Sequence, residues 1–285
     1  MAVEPESRFY SSQRSRLHYL DWGNPDGPLL ILIHGGRDSC RSWDWIARAL
    51  HADWHVIAPD LRGHGDSDWS ADGAYPMAGF VLDIANLIEH LGEIPATIVA
   101  HSLGGNIALR YAGSYPDRVR KLVSVEGMGP SAQTLRRQLL PPGEQLRSWI
   151  EDRRALDGRQ ARRYVTIDEA AKRLLESSPH FTSERAAHLA LHGVRINDDG
   201  TYSWKYDNYT RGFAPVDTIR PRELWRAIDC PVLHLHGAAS WGIDQLSDEN
   251  LSCFGDVRVA MIEGAGHWPH HDDEAAFLAA IRAFL

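Results

Sequence analysis

Apolar and polar positions along this chain fall into two regimes. Through the first 126 residues, short and almost wholly apolar runs alternate with stretches of helical spacing. Leu29-Leu30-Ile31-Leu32-Ile33 is apolar at every position, which predicts a strand covered on both faces, and Trp54-His55-Val56-Ile57-Ala58 reads the same way. Leu17 to Trp22 predicts a further strand, closed by the turn Gly23-Asn24-Pro25-Asp26-Gly27. Ser42 to Leu50 has a helical pattern. Between Met77 and Leu91 the apolar residues Phe80, Ile84, Leu87, Ile88 and Leu91 keep helical spacing, and Gly92 stops the helix. The β-branched run Ala96-Thr97-Ile98-Val99-Ala100 gives way to a helix marked by Ile107, Ala108, Leu109, Tyr111 and Ala112, and Val119 to Val125 is again a strand. Such alternation predicts an α/β fold with a mainly parallel sheet and helices on both faces.

After Glu126 the rhythm breaks. Residues 127–225 are polar, helix-rich and full of arginines. Thr166-Ile167-Asp168-Glu169 is a capping box that opens a helix through Ser177. Thr182-Ser183-Glu184 opens another to about His192, and the turn Asn197-Asp198-Asp199-Gly200 leads into Thr201 to Tyr206 as a hairpin. Pro231 to Leu235 and Val257 to Met261 resume the strands, and Asp272 to Leu285 predicts an amphipathic closing helix. The expected organisation is a core of residues 1–126 and 226–285, with 127–225 as an inserted lid over the sheet edge.

Composition narrows the classes. At 285 residues and 44% hydrophobic content the chain can bury a large core. A formal charge of −8 argues against nucleic acid or an anionic membrane surface as the main partner. No apolar run approaches the roughly 20 residues of a membrane span, and the first residues lack the pattern of a signal peptide. Cys40, Cys230 and Cys253 are an odd number without metal-type spacing, so they read as reduced and structural. A soluble cytoplasmic protein, monomeric or a small homo-oligomer, is the expectation.

The chemistry centres on Ala100-His101-Ser102-Leu103-Gly104, where a strand pattern turns into a helix pattern around a serine. That is the arrangement of a nucleophile elbow, which holds a serine Oγ clear of the backbone. A serine that only caps the following helix is the plainer alternative. Three other strings stand in register with it: His34-Gly35-Gly36-Arg37 after one apolar run, Pro59-Asp60-Leu61-Arg62-Gly63-His64-Gly65-Asp66-Ser67 after the next, and Gly264-Ala265-Gly266-His267-Trp268 after the last. With these four motifs in this order the chain resembles the α/β-hydrolases over almost its whole length. The resemblance implies Ser102 as nucleophile, His267 as its base, and the N–H groups of Leu103 and Gly36 as oxyanion donors. His34 and the Arg62 to Gly65 loop read as shaping their turn, and His101 as a packing residue.

The acid departs from the commonest pattern. Many relatives carry an aspartate three residues after a glycine beyond the seventh strand, and here Gly237-Ala238-Ala239-Ser240 puts a serine there. Other relatives place the acid at the end of the sixth strand, where this chain has Glu126, a carboxylate at the tip of an apolar run that is costly to bury unless paired or functional. Glu126 is therefore the favoured acid and Asp244 the alternative; a salt bridge to an inserted arginine is the other reading of Glu126. His234 and His236 alternate on a strand without a further ligand nearby, so no metal and no cofactor is expected. His270 and His271 read as solvated or helix-entry residues.

A serine at position 102 disfavours haloalkane dehalogenase and epoxide hydrolase chemistry, whose relatives use aspartate there. Ester hydrolysis remains, beside C–C bond hydrolysis, cofactor-free perhydrolysis and a ligand receptor of the same fold. In the insertion Trp149, Tyr202, Trp204, Tyr206, Tyr209 and Phe213 offer aromatic surface, of which Trp149, Trp204 and Tyr206 are candidate substrate contacts; packing inside the insertion is the competing role. The strings Asp199 to Asp207, Val125-Glu126-Gly127 and Gly266 to His271 resemble a subgroup of small serine esterases similar to macrolide esterases, which implies the lactone ester of a bulky small molecule as substrate.

Overall fold

The structure, a computed structural model, describes residues 3–92, 95–129, 136–137, 139–157, 159–178, 180–211 and 220–285, with only the backbone of Arg211, Ile243 and Asp244. Eight strands share one sheet: β1 (Glu6–Ser12), β2 (Ser15–Asp21), β3 (Leu29–Ile33), β4 (His55–Pro59), β5 (Ala96–His101), β6 (Val119–Val125), β9 (Val232–Gly237) and β10 (Val257–Ile262). Their order is β1-β2-β4-β3-β5-β6-β9-β10. The β1–β2 and β2–β4 pairs are antiparallel and the rest parallel. Between β6 and β9 lies the separate two-stranded hairpin of β7 (Val194–Ile196) and β8 (Tyr202–Trp204).

Helices cover both faces, which is why β3 is apolar at every position and its neighbours mostly so. On one face α2 (Met77–Leu91) and α3 (Leu103–Ser114) pack against Ile31, Ile33, Ile98 and Leu122. On the other, α1 (Asp44–Leu50) packs with the closing helix against Leu30, Leu32, Val99, Val123 and Leu233. The expected mainly parallel α/β sheet is what the structure shows. Details differ at the ends of elements. The Ser42 helix begins as a 3-10 turn at Cys40–Trp43. The expected helix from Asp272 starts instead at Glu274, because the Asp273 side chain accepts the N–H of Ala276 at 2.9 Å and caps a new helix there. Strand β1 is absent from the sequence reading: as an edge strand with Glu6, Ser7, Arg8, Ser11 and Ser12 among its seven residues, it shows no apolar run.

The segment between β6 and β9 contains α4 (Pro142–Asp157), α5 (Ile167–Ser177), α6 (Ser183–Gly193) and α7 (Pro221–Trp225); α8 (Asp248–Leu251), α9 (Pro269–Asp272) and α10 (Glu274–Phe284) follow β9. Thr166 and Thr182 cap α5 and α6 with their hydroxyls. A small core of Tyr164, Ala170, Ala171, Ala186, Ala190 and Val194 joins α5 and α6 to the hairpin. Among the described residues the segment docks at several places, one of them α7, whose Trp225 joins the core beneath α3. Asp207 accepts from the Tyr75 hydroxyl at 2.6 Å and donates its N–H to the carbonyl of Gly63, while Lys205 pairs with Asp66. On the other side Arg185 pairs with Glu274 and reaches His271, and His188 pairs with Asp44.

Candidate active site

Loops after five neighbouring parallel strands, all at the carboxyl end of the sheet, build the site. Ser102 sits between β5 and α3 at φ 50° and ψ −111°, a conformation that a side chain adopts only under constraint. Glu126, directly after β6, and Arg37, in the loop after β3, also have positive φ. Three strained non-glycine residues thus ring the ends of β3, β5 and β6. The turn at Ser102 is possible because α3 approaches the end of β6 closely: a Cβ on Gly105 would lie 2.8 Å from the Cα of Gly127.

The structure brings Ser102, His267 and Glu126 into one line. His267 Nε2 lies 3.1 Å from Ser102 Oγ, and Nδ1 lies 3.3 Å from Glu126 Oε2. Glu126 Oε1 accepts the N–H of Gly237 at 2.8 Å, and Oε2 accepts the hydroxyl of Ser240 at 2.6 Å. Burial alone would raise the Glu126 pKa, but the neighbouring His236 ring, His267 and the Ser240 hydroxyl hold it below the usual carboxylate range. An ionised carboxylate only accepts, so Nδ1 of His267 carries the hydrogen and Nε2 turns its lone pair toward Ser102. These geometric and protonic conditions are those under which a serine hydroxyl can be deprotonated for attack.

The surroundings hold His267 in place. The exposed Trp241 ring stacks on it at 4.6 Å, Trp268 meets it edge-on, and its backbone carbonyl accepts from His101 Nε2 at 2.7 Å. Leu103 opens α3, where first-turn N–H groups have no acceptor within the helix, and Gly36 lies beside the Leu103 side chain. His34 accepts the N–H of Leu61 at 3.0 Å, tying the loop after β3 to the one after β4.

Other candidates fall elsewhere. Trp204 packs in the inserted segment's own core and donates to the Tyr164 hydroxyl at 3.0 Å; Tyr206 stacks on it. Trp149 lies under Arg153, which also binds the carbonyl of Gly73. Phe213 and the side chain of Asp244 lie outside the described residues. His270 and His271, expected to be solvated or at a helix entry, do begin α9 but are buried, wedged between Trp43, Trp45 and Phe181. The sequence reading missed Ser240 as a donor to Glu126, His236 beside it and Trp241 on His267. Only Ser240 left a signal, its place where relatives carry the acid.

Residues 28–274 match the α/β-hydrolase fold family. The chain belongs to that family. An esterase of Mycobacterium tuberculosis is 27% identical over 280 residues, spanning 96% of this chain and 87% of its own. The sn-1-specific diacylglycerol lipase ABHD11 of Mus musculus is 26% identical over 269 residues, 92% and 82% of the two chains. Epoxide hydrolase 1 of Caenorhabditis elegans is 26% identical over 297 residues, 98% and 70%. Among solved structures, a thioesterase domain from the curacin biosynthetic pathway superposes with a TM-score of 0.83 at 23% identity over 98% of this chain and 99% of its own, a likeness of fold. This α/β-hydrolase is accordingly a hydrolase by kinship. Among the described residues no helix is long and apolar enough to cross a membrane.

Proposed function

We propose that this α/β-hydrolase cleaves carboxylic esters through an acyl-enzyme formed on Ser102. The observation that carries the reading is the line Ser102–His267–Glu126, with Nε2 of His267 3.1 Å from Oγ. In the proposed reaction the Ser102 proton passes to His267 Nε2 while Oγ attacks the ester carbonyl. The N–H groups of Leu103 and Gly36 receive the oxyanion, and Glu126 stabilises the imidazolium. The alkoxide leaves with the proton from His267, and water, deprotonated by His267, releases the acid. A serine at position 102 and esterase and lipase relatives support an ester over an epoxide. The reaction as proposed uses no metal or cofactor, takes a small molecule, and suits a cytoplasmic monomer or small oligomer.

A finer proposal, resting on the resemblance of residues 199–207, 125–127 and 266–271 to a subgroup similar to macrolide esterases, is that the ester is the lactone of a bulky molecule. Trp204 packs inside the inserted segment, so that proposal leans on Trp149 and Tyr206. Turnover of short p-nitrophenyl esters and of macrolactones by the wild type and by Ser102→Ala tests both levels. Loss of roughly 10⁶-fold in kcat is expected for Ser102→Ala, the scale seen when a serine nucleophile is removed. A variant keeping a tenth of wild-type turnover overturns the acyl-enzyme. Hydrolysis of short esters but no macrolactone overturns only the finer proposal.

A further inference from the structure

Two groups of three metal-capable side chains come together among the described residues: His18 with Cys40 and Asp60, and Asp38 with His101 and His270. They differ in what their polar atoms already do. In the first group His18 Nδ1 meets Asp60 at 2.7 Å and Nε2 meets Ser7 at 2.9 Å, while Asp60 accepts the N–H groups of Cys40 and Asp66. Its hydrogen-bonding capacity is used. In the second group the opposite holds. Asp38 Oδ2, His101 Nδ1 and His270 Nδ1 are all buried from solvent, and none has a hydrogen-bond partner.

Leaving such atoms unmatched is expensive, so a convergence of three calls for an occupant. The role of His101 is fixed. The carbonyl of His267 can only accept, so His101 Nε2 carries the hydrogen and Nδ1 presents a lone pair. Asp38 Oδ1 accepts the N–H of Ser39; burial raises the carboxyl pKa, the Ser42 hydroxyl works against that, and a carboxylate oxygen lies in the group. His270 reaches toward Ser42 with Nε2 at 3.5 Å, which leaves Nδ1 for the group. The three donor groups supply ligand atoms within 4.8 Å of one another. Bonds of about 2.0–2.2 Å to zinc would need the side chains to close by roughly 1 Å. Gly35 keeps the approach clear, since a Cβ there would sit 2.7 Å from His101 Nδ1. The residues are far apart in sequence, so no spacing motif announces them.

We propose that Asp38, His101 and His270 form a binding site for a divalent transition-metal cation of the zinc type, behind the Ser102–His267 pair. Two imidazoles and a carboxylate suit that class of ion. His101 immediately precedes Ser102, and its ring centroid lies 4.9 Å from that of His267. A dication held there opposes positive charge on His267, so occupancy lowers kcat; this inhibitory half rests on the proposed function, and the binding half does not.

Calorimetric titration of the full chain with zinc sulfate, and visible-absorption titration with cobalt(II), test the site in the wild type, Asp38→Asn, His270→Gln, Cys40→Ser and His192→Gln. The last two alter the other grouping and a histidine pair on α6, His188 and His192, whose rings are 4.6 Å apart. One equivalent is expected in the wild type, Cys40→Ser and His192→Gln. In Asp38→Asn and His270→Gln affinity should fall at least about ten-fold, the smaller loss typical of disturbing even an outer partner of a metal. Metal-free melting curves verify folding, and either variant alone suffices if the other is unstable. Absence of stoichiometric binding, as for a site holding only an ordered water, overturns the proposal. So does binding that survives both ligand substitutions or vanishes in Cys40→Ser. Unchanged kcat at saturating zinc overturns the inhibitory half.

Discussion

At the scale of single residues, Ser240 is the informative position. It stands where many relatives carry the acid, and its hydroxyl donates to Glu126, the acid of the proposed reaction, which follows the neighbouring strand. A hydrogen bond to a charged group contributes about 1.5–3 kcal/mol, so Ser240→Ala should lower kcat by about ten-fold or more with little change in KM. Glu126→Gln should fall further, by up to about 10⁴-fold, since a neutral amide neither fixes the tautomer nor stabilises the imidazolium. Asp244→Asn should stay near wild type. Ester kinetics for the three variants check the order, and a crippled Asp244→Asn with an unharmed Glu126→Gln would reverse the assignment of the acid. Ser102, Glu126 and His267 were legible because each lies in a short local string whose composition its turn requires. The service of Ser240 and Trp241 was not, because it exists only once the loop after β9 folds back over β6.

Among the elements, the segment between β6 and β9 is held at its edges by side chains that bridge it to the rest of the fold. Tyr75 and Arg185 anchor its two sides to the loop after β4 and to α10. Tyr75→Phe leaves the buried Asp207 carboxylate short of a donor, a loss of about 1–3 kcal/mol. Because the segment has its own small core, that loss should appear as local opening. Hydrogen exchange should quicken in α5, α6 and the β7–β8 hairpin while β3 and β5 keep their protection; uniform quickening everywhere would show that the segment and the sheet open together. The central strands and long helices were readable from periodicity, since burial on one or two faces dictates it. Strand β1 was not, because its pairing with β2 does not depend on an apolar run. The docking contacts join residues far apart in sequence and leave no periodic trace.

For the whole molecule, the histidines govern behaviour in mild acid. Burial depresses the pKa of His101, His270 and His271 well below the ordinary value, and brings His64 and His234 to about 3. Unfolded, each ring takes a proton below about pH 6.5; folded, each stays neutral. The unfolded state therefore binds more protons as the pH falls, so stability present above that pH is lost below it, by about 1.4 kcal/mol per pH unit for each ring. Glu126, also depressed, keeps its contribution until far stronger acid. Urea midpoints should be level above about pH 7 and drop steeply toward about pH 5.5. A flat profile across that range would mean that these rings are protonated in the folded protein.

The positive φ at Ser102 sets usefulness against durability. A side chain in such a conformation costs about 1–3 kcal/mol, which glycine avoids. Ser102→Ala keeps the Cβ and hence the cost, whereas Ser102→Gly sheds it. The glycine variant should therefore melt above both the alanine variant and the wild type while being as inactive as the alanine variant, as paired calorimetry and ester assays can check. On the proposed function, a sturdier protein is one substitution away at that bend, and what a serine there gives up in durability is the cost of its proposed chemistry.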